Sequence, residues 1–140
     1  MISRKVMVLL FAAAGILMMG YLSVLHYTGG SSVCDINERF NCDAVNKSVY
    51  SEFMGIPFSI IGILYFAIVI GMALLGEKFY PYIFILSLVS LAPALYLDYI
   101  EFFVLNAVCI FCELSKVMIG AIIAVSFLES RRLGLLKVEF

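Results

Sequence analysis

Between Phe79 and Leu128 the chain runs for fifty residues in which only Asp98, Glu101, Glu113 and Lys116 are charged. At about 1.5 Å of rise per residue, a straight helix of that length would far exceed a bilayer core of about 30 Å. The segment must therefore cross and fold back. The acidic pair in Asp98-Tyr99-Ile100-Glu101 is the natural turn, which predicts one helix near 79–96 and another over about 105–128. Pro93 is expected to bend the first of these near its end.

Two further runs precede that stretch. One spans about 6–27 and follows Ser3-Arg4-Lys5; it has the length of a bilayer crossing, whereas a signal peptide's apolar core is only about 7–15 residues, so it reads as a retained helix. The other spans about 53–75 and opens at Gly55-Ile56-Pro57, since proline is tolerated where a helix begins. Between them, 28–52 carries Gly29-Gly30-Ser31-Ser32, most of the nearby charge and two cysteines, and reads as an extramembrane loop. With 64% hydrophobic residues against roughly 45–50% in ordinary soluble domains, and a mean hydropathy of +1.12, a water-soluble globule and a disordered chain are both excluded. A net charge of -1 gives no argument for nucleic acid. The fold class expected is an all-α integral membrane protein, a single membrane domain over 1–140 built as a four-transmembrane-helix bundle.

Lysine and arginine placement orients it. Arg4, Lys5, Lys78, Arg131, Arg132 and Lys137 fall on one side, against Arg39 and Lys47 on the other. The positive-inside rule then puts both termini in the cytoplasm and the 28–52 loop outside. The protein is expected in the cell membrane as a multi-pass chain.

On that topology all four cysteines share the extracytoplasmic side. Cys34 and Cys42 lie in the loop, and Cys109-Ile110-Phe111-Cys112 opens the fourth helix. An even set in an oxidising compartment is compatible with two structural disulfides. The Cys-x-x-Cys spacing favours redox chemistry, because a short dithiol loop cycles readily and a helix start stabilises a thiolate. A four-thiolate zinc site ranks lower, since Cys34 and Cys42 are eight apart and oxidation competes with ligation. The metal expectation is none. His26, the only histidine, reads as an interfacial side chain.

Lys116 is the remaining anomaly, because a charge within a membrane helix is costly and by default functional. It lies four residues after Cys112, on the same helix face. There it would favour a Cys112 thiolate and donate to the carbonyl of an oxidant. The structural alternative is an ion pair with Glu113 or snorkelling to the interface.

The two loop cysteines, Ser48-Val49-Tyr50-Ser51-Glu52-Phe53-Met54-Gly55-Ile56-Pro57-Phe58-Ser59, then Tyr96-Leu97, Phe102-Phe103-Val104-Leu105 and Cys109-Ile110-Phe111-Cys112 together resemble the vitamin K epoxide reductase family over nearly the whole chain. The resemblance implies a four-helix bundle enclosing a quinone, of menaquinone, ubiquinone or vitamin K type, beside the Cys-x-x-Cys. It implies that Cys34 meets a thioredoxin-like partner, Cys42 exchanges with Cys109, and Cys112 reduces the quinone. Ser51 and Lys116 stand where animal members have quinone-hydrogen-bonding residues, Lys116 in place of a tyrosine. Quinone contacts are thus expected from Ser51, Phe53 and Lys116, with Lys116 taking over carbonyl polarisation. The short interval from Cys42 to Gly55 resembles microbial members, and the length leaves no room for a fused thioredoxin-like domain, so the partner is expected to be a separate, DsbA-like protein. The function expected is a membrane thiol oxidase with a DsbB-like role, an oxidoreductase that couples disulfide formation to quinone reduction. Alternatives are a quinone or vitamin K epoxide reductase proper, or a non-catalytic membrane subunit with structural disulfides.

Overall fold

The computed structural model describes residues 3–29, 40–41, 44–45, 48–49 and 52–134. Helix α1 (Arg4–Thr28) starts where the Ser3 side chain accepts the Val6 amide at 3.3 Å, supplying one of the acceptors that a helix start lacks. It stops at Gly29, whose left-handed φ of 71° lets its amide return to the Leu25 carbonyl at 3.0 Å. Strands β1 (Glu52–Phe53) and β2 (Ile56–Pro57) form a minimal antiparallel hairpin, with Glu52 opposite Pro57 and Phe53 opposite Ile56. Met54 and Gly55 between them have φ of 54° and 81°, the positive pair that a type I′ turn requires.

That hairpin moves the start of the second helix. The apolar run begins at Phe53, but α2 spans Phe58–Leu75 with Pro57 as its N-cap. Residues 53–57 turn back on themselves first, because apolar content cannot distinguish a short hairpin from a helix turn. A single 3₁₀ turn (Glu77–Phe79) follows Gly76 and leads into α3 (Tyr80–Tyr99), which has Pro81 in its first turn and Pro93 inside.

The expected turn at 98–104 is not where the chain reverses. The chain stays helical through Asp98 and Glu101, as α3 to Tyr99 and then a π-helical stretch over Ile100–Leu105. Asn106, at φ 51°, ends it in the left-handed region. The acidic residues can stay in the helix because Lys116 on the next helix meets them, so they need not reach water in a turn. Helix α4 (Ile110–Arg132) begins with Cys109 as its N-cap.

Among the described residues, four helical segments, Arg4–Thr28, Phe58–Leu75, Glu77–Leu105 and Ile110–Arg132, are long and apolar enough to cross a membrane. Helix α1 packs on both α2 and α4, and α3 packs on α4, whereas α2 and α3 touch only sparsely. The core that joins them is built from Val8, Ala12, Leu22, Phe66, Val69, Ile83 and Ile122. Leu17, Leu64, Leu75, Val89 and Val117 point outward, as lipid-facing side chains do. The α1–α2 contact rests on two glycines. A Cβ on Gly15 would overlap the Phe66 ring, and one on Gly62 would come within 2.9 Å of the Met19 sulfur.

The ends of the bundle are distinct. Arg4 pairs with the buried Glu129 at 2.9 Å, tying the start of α1 to the end of α4. At the opposite end, His26 Nε2 lies 3.0 Å from a Glu52 carboxylate oxygen and Tyr21 meets Phe111 edge-on. Cys109 and Cys112 sit at that second end, at the start of α4.

Candidate functional site

The Cys-x-x-Cys is set by the way α4 begins. Cys109 has extended backbone, and its Sγ accepts the Cys112 amide at 3.2 Å, so the first thiol acts as the helix cap. Both cysteines are free thiols here; Cys109 is fully buried and Cys112 partly so. The segment before them is held by a neighbour from the loop: Phe40 forms a parallel bridge with Val108, and the Asn41 amide donates to the Val108 carbonyl at 3.2 Å.

Cys112 opens onto a cavity of about 130 Å³ inside the bundle. A dry cavity on the order of 150 Å³ holds one benzene ring, so this chamber is the right size for a single six-membered ring. Its walls are mainly apolar, with Phe58, Ile61, Phe66 and Ile119 among them, and Ser59, Tyr65, Ser90, Ser115 and Lys116 are the residues of its lining that carry hydroxyl or ammonium groups. Such a mainly apolar pocket with a few placed polar groups is the usual form of a small-molecule site. Phe58, Ile61 and Pro93 also line an outer groove that continues between α2 and α3, together with Val49, Glu52, Phe53 and Tyr96. The second cysteine of the Cys-x-x-Cys thus faces a ring-sized apolar chamber that extends toward the lipid-facing gap between two sparsely packed helices.

The structure brings together some of the residues singled out by sequence and not others. Cys112 and Lys116, one helical turn apart, line the same chamber. Phe53 is displaced onto the hairpin, where it lines the outer groove with its ring 6.3 Å from Phe58, and it does not reach the chamber. Cys34, Cys42 and Ser51 lie outside the described residues.

Lys116 has more partners than its own helix offers. Its ammonium donates to Glu113 at 2.8 Å and to Asp98 of α3, and it lies 3.8 Å from Glu101. Its positive charge is therefore shared among three carboxylates and is not directed at Cys112 alone. Glu101 is completely buried, and its other oxygen, Oε2, accepts the Cys109 amide at 3.4 Å. The carboxylate oxygens of Asp98, Glu101 and Glu113 come within 4.8 Å of one another. Sequence reasoning assigned Asp98 and Glu101 to a turn and missed this cluster. The available signal was the i,i+3 spacing of two acids in an otherwise apolar stretch, with a lysine also buried in the next helix.

Residues 6–127 match the vitamin K epoxide reductase family.

Proposed function

The chain belongs to the vitamin K epoxide reductase family, whose members are membrane oxidoreductases that act with quinones, and from that premise we propose that it oxidises an extracytoplasmic thioredoxin-like protein and reduces a membrane quinone. The observation that carries this reading is the ring-sized apolar chamber with Cys112 and Lys116 on one wall. A lipid-soluble ring can reach it through the groove between α2 and α3, where a soluble thiol protein cannot follow. Bound there, the quinone supplies the oxidising power, taking two electrons and two protons.

The protein's own residues do the rest. Cys34 meets the partner's dithiol and, with Cys42, becomes the reduced pair. Cys42 then exchanges with Cys109, and Cys112 is the thiol that faces the chamber. Each exchange needs a thiolate in line with a disulfide sulfur, so the two pairs must approach closely. In the chain, Cys42 follows Asn41 and Cys109 follows Val108, and Asn41 and Val108 are hydrogen-bonded to each other. That supports transfer between the pairs. Phe58 and Phe66 would hold the ring, and Lys116 would donate to one of its carbonyls. The lysine and arginine bias supports an orientation with both termini in the cytoplasm and the cysteine end outside. A DsbB-like role in disulfide formation follows, with a separate DsbA-like protein as partner.

The test is to mix the purified protein with a reduced thioredoxin-like protein and a short-chain quinone and to follow quinone absorbance. The wild type is expected to turn over, and Cys112→Ala to lose activity. No turnover in the wild type, or undiminished turnover in Cys112→Ala, contradicts the assignment.

A further inference from the structure

Oxidation of the Cys109–Cys112 dithiol breaks two S–H bonds, forms one S–S bond and releases two electrons and two protons. Reduction of a quinone to the quinol consumes the same number of each. The electrons pass directly, but a buried proton needs a carrier. Cys109 is fully buried, and so is Glu101 beside it. Glu101 reaches in two directions. Its Oε2 accepts the Cys109 amide at 3.4 Å, and its Oε1, buried and without a hydrogen-bond partner among the described residues, faces the Lys116 ammonium at 3.8 Å. A buried carboxylate oxygen with no hydrogen bond is costly to keep, so such groups persist chiefly where they serve a purpose. Lys116 in turn lines the chamber and is held by Asp98 and Glu113.

The geometry points to Glu101 as the proton carrier between the dithiol and the quinone chamber. This inference rests on the reading that the dithiol reduces a quinone. In the dithiol form the Glu101 carboxylate shares a thiol proton and so becomes partly carboxylic acid, leaving thiolate behind. As the thiolate loses its electrons, Lys116 gives a proton to a quinone oxygen and recovers one from Glu101. The second thiol proton takes the same path, and Glu101 ends as it began, so no proton has to be drawn from water. The π-helical stretch serves this arrangement: it carries Glu101, ends at Asn106 and returns the chain to Cys109, a local irregularity of the kind often found at functional sites.

Two substitutions separate this role from a structural one. Glu101→Gln keeps the volume and an acceptor for the Cys109 amide but cannot carry a proton, whereas Glu101→Asp keeps the acid and shortens the side chain. The first readout uses no quinone: infrared difference spectra of the full-length protein in detergent, reduced with dithiothreitol minus oxidised. A carboxylic-acid C=O band is expected in the reduced wild type and in Glu101→Asp, and it should be absent from Glu101→Gln. The second readout is single-turnover reduction of menadione by the reduced protein. Glu101→Gln is expected to be about 100-fold slow, the low end of what a positioned acid or base contributes, with Glu101→Asp less than tenfold slow. A difference spectrum with no Glu101-dependent band overturns the inference, as does an Asp variant slower than the Gln variant, which is the order a structural role predicts. Should Glu101→Gln fail to fold, loss of the band or of the rate in Glu101→Asp is enough to overturn it. If the wild type does not reduce menadione, the quinone reading fails, while the infrared band still decides whether Glu101 takes the thiol proton.

Discussion

Lys116 is one cation among three carboxylates, and its removal has two separable consequences. Chemically, Lys116→Met takes a donor from the chamber wall, so quinone reduction should slow more than exchange with the partner. Stopped-flow measurement of the two half-reactions checks this, and equal slowing would reject the role. Structurally, it leaves Asp98, Glu101 and Glu113 without their counter-charge. Removing one member of a buried ion pair costs about 3–5 kcal/mol, and thermal unfolding in detergent should show a drop that adding Asp98→Asn partly restores. The proximity of Cys112 and Lys116 was legible in the sequence, because four residues on one helix fix it. The meeting of Asp98 with Lys116 was not. The two are eighteen residues apart on different helices, and only the packing of α3 on α4 joins them.

Among the helices, glycines that look equivalent in the sequence differ in what surrounds them. Gly15 faces the Phe66 ring, while a Cβ on Gly120 would meet nothing within 4 Å. Gly15→Ala should therefore destabilise by about 1–3 kcal/mol through overpacking at the α1–α2 contact, and Gly120→Ala should shift stability by no more than about 0.5 kcal/mol. Thermal unfolding of the two variants side by side checks the assignment of that interface. The helices were legible because runs of this length and hydropathy admit almost no other fold in a bilayer. Their ends were less so. The β1–β2 hairpin hides within an apolar run, and the third helix passes through its own acidic residues, since interhelical pairing replaces the solvent they would otherwise seek. Helices that are apolar nearly all round also carry no stripe to show which faces meet.

For the whole molecule, the Arg4–Glu129 pair brings the first and last helix ends to one side, away from the cysteines. With the charge bias, a reporter fused to the C-terminus should be active only as a cytoplasmic type, a fluorescent protein for example, and a fusion active only when exported would reverse the orientation. Apolar side chains from the helices wall the chamber, and the Cys-x-x-Cys sits beside it where α4 begins. The central claim is that electrons pass from the loop cysteines to that helix. Non-reducing peptide mapping of Cys112→Ser, purified in its oxidised form with no reduced partner added, tests it most directly. There the Cys109 thiol can attack the Cys34–Cys42 disulfide at Cys42 and, with no Cys112 to displace it, a Cys42–Cys109 link with Cys34 released as a thiol is the result expected; a Cys34–Cys42 bridge with Cys109 left free would contradict the relay.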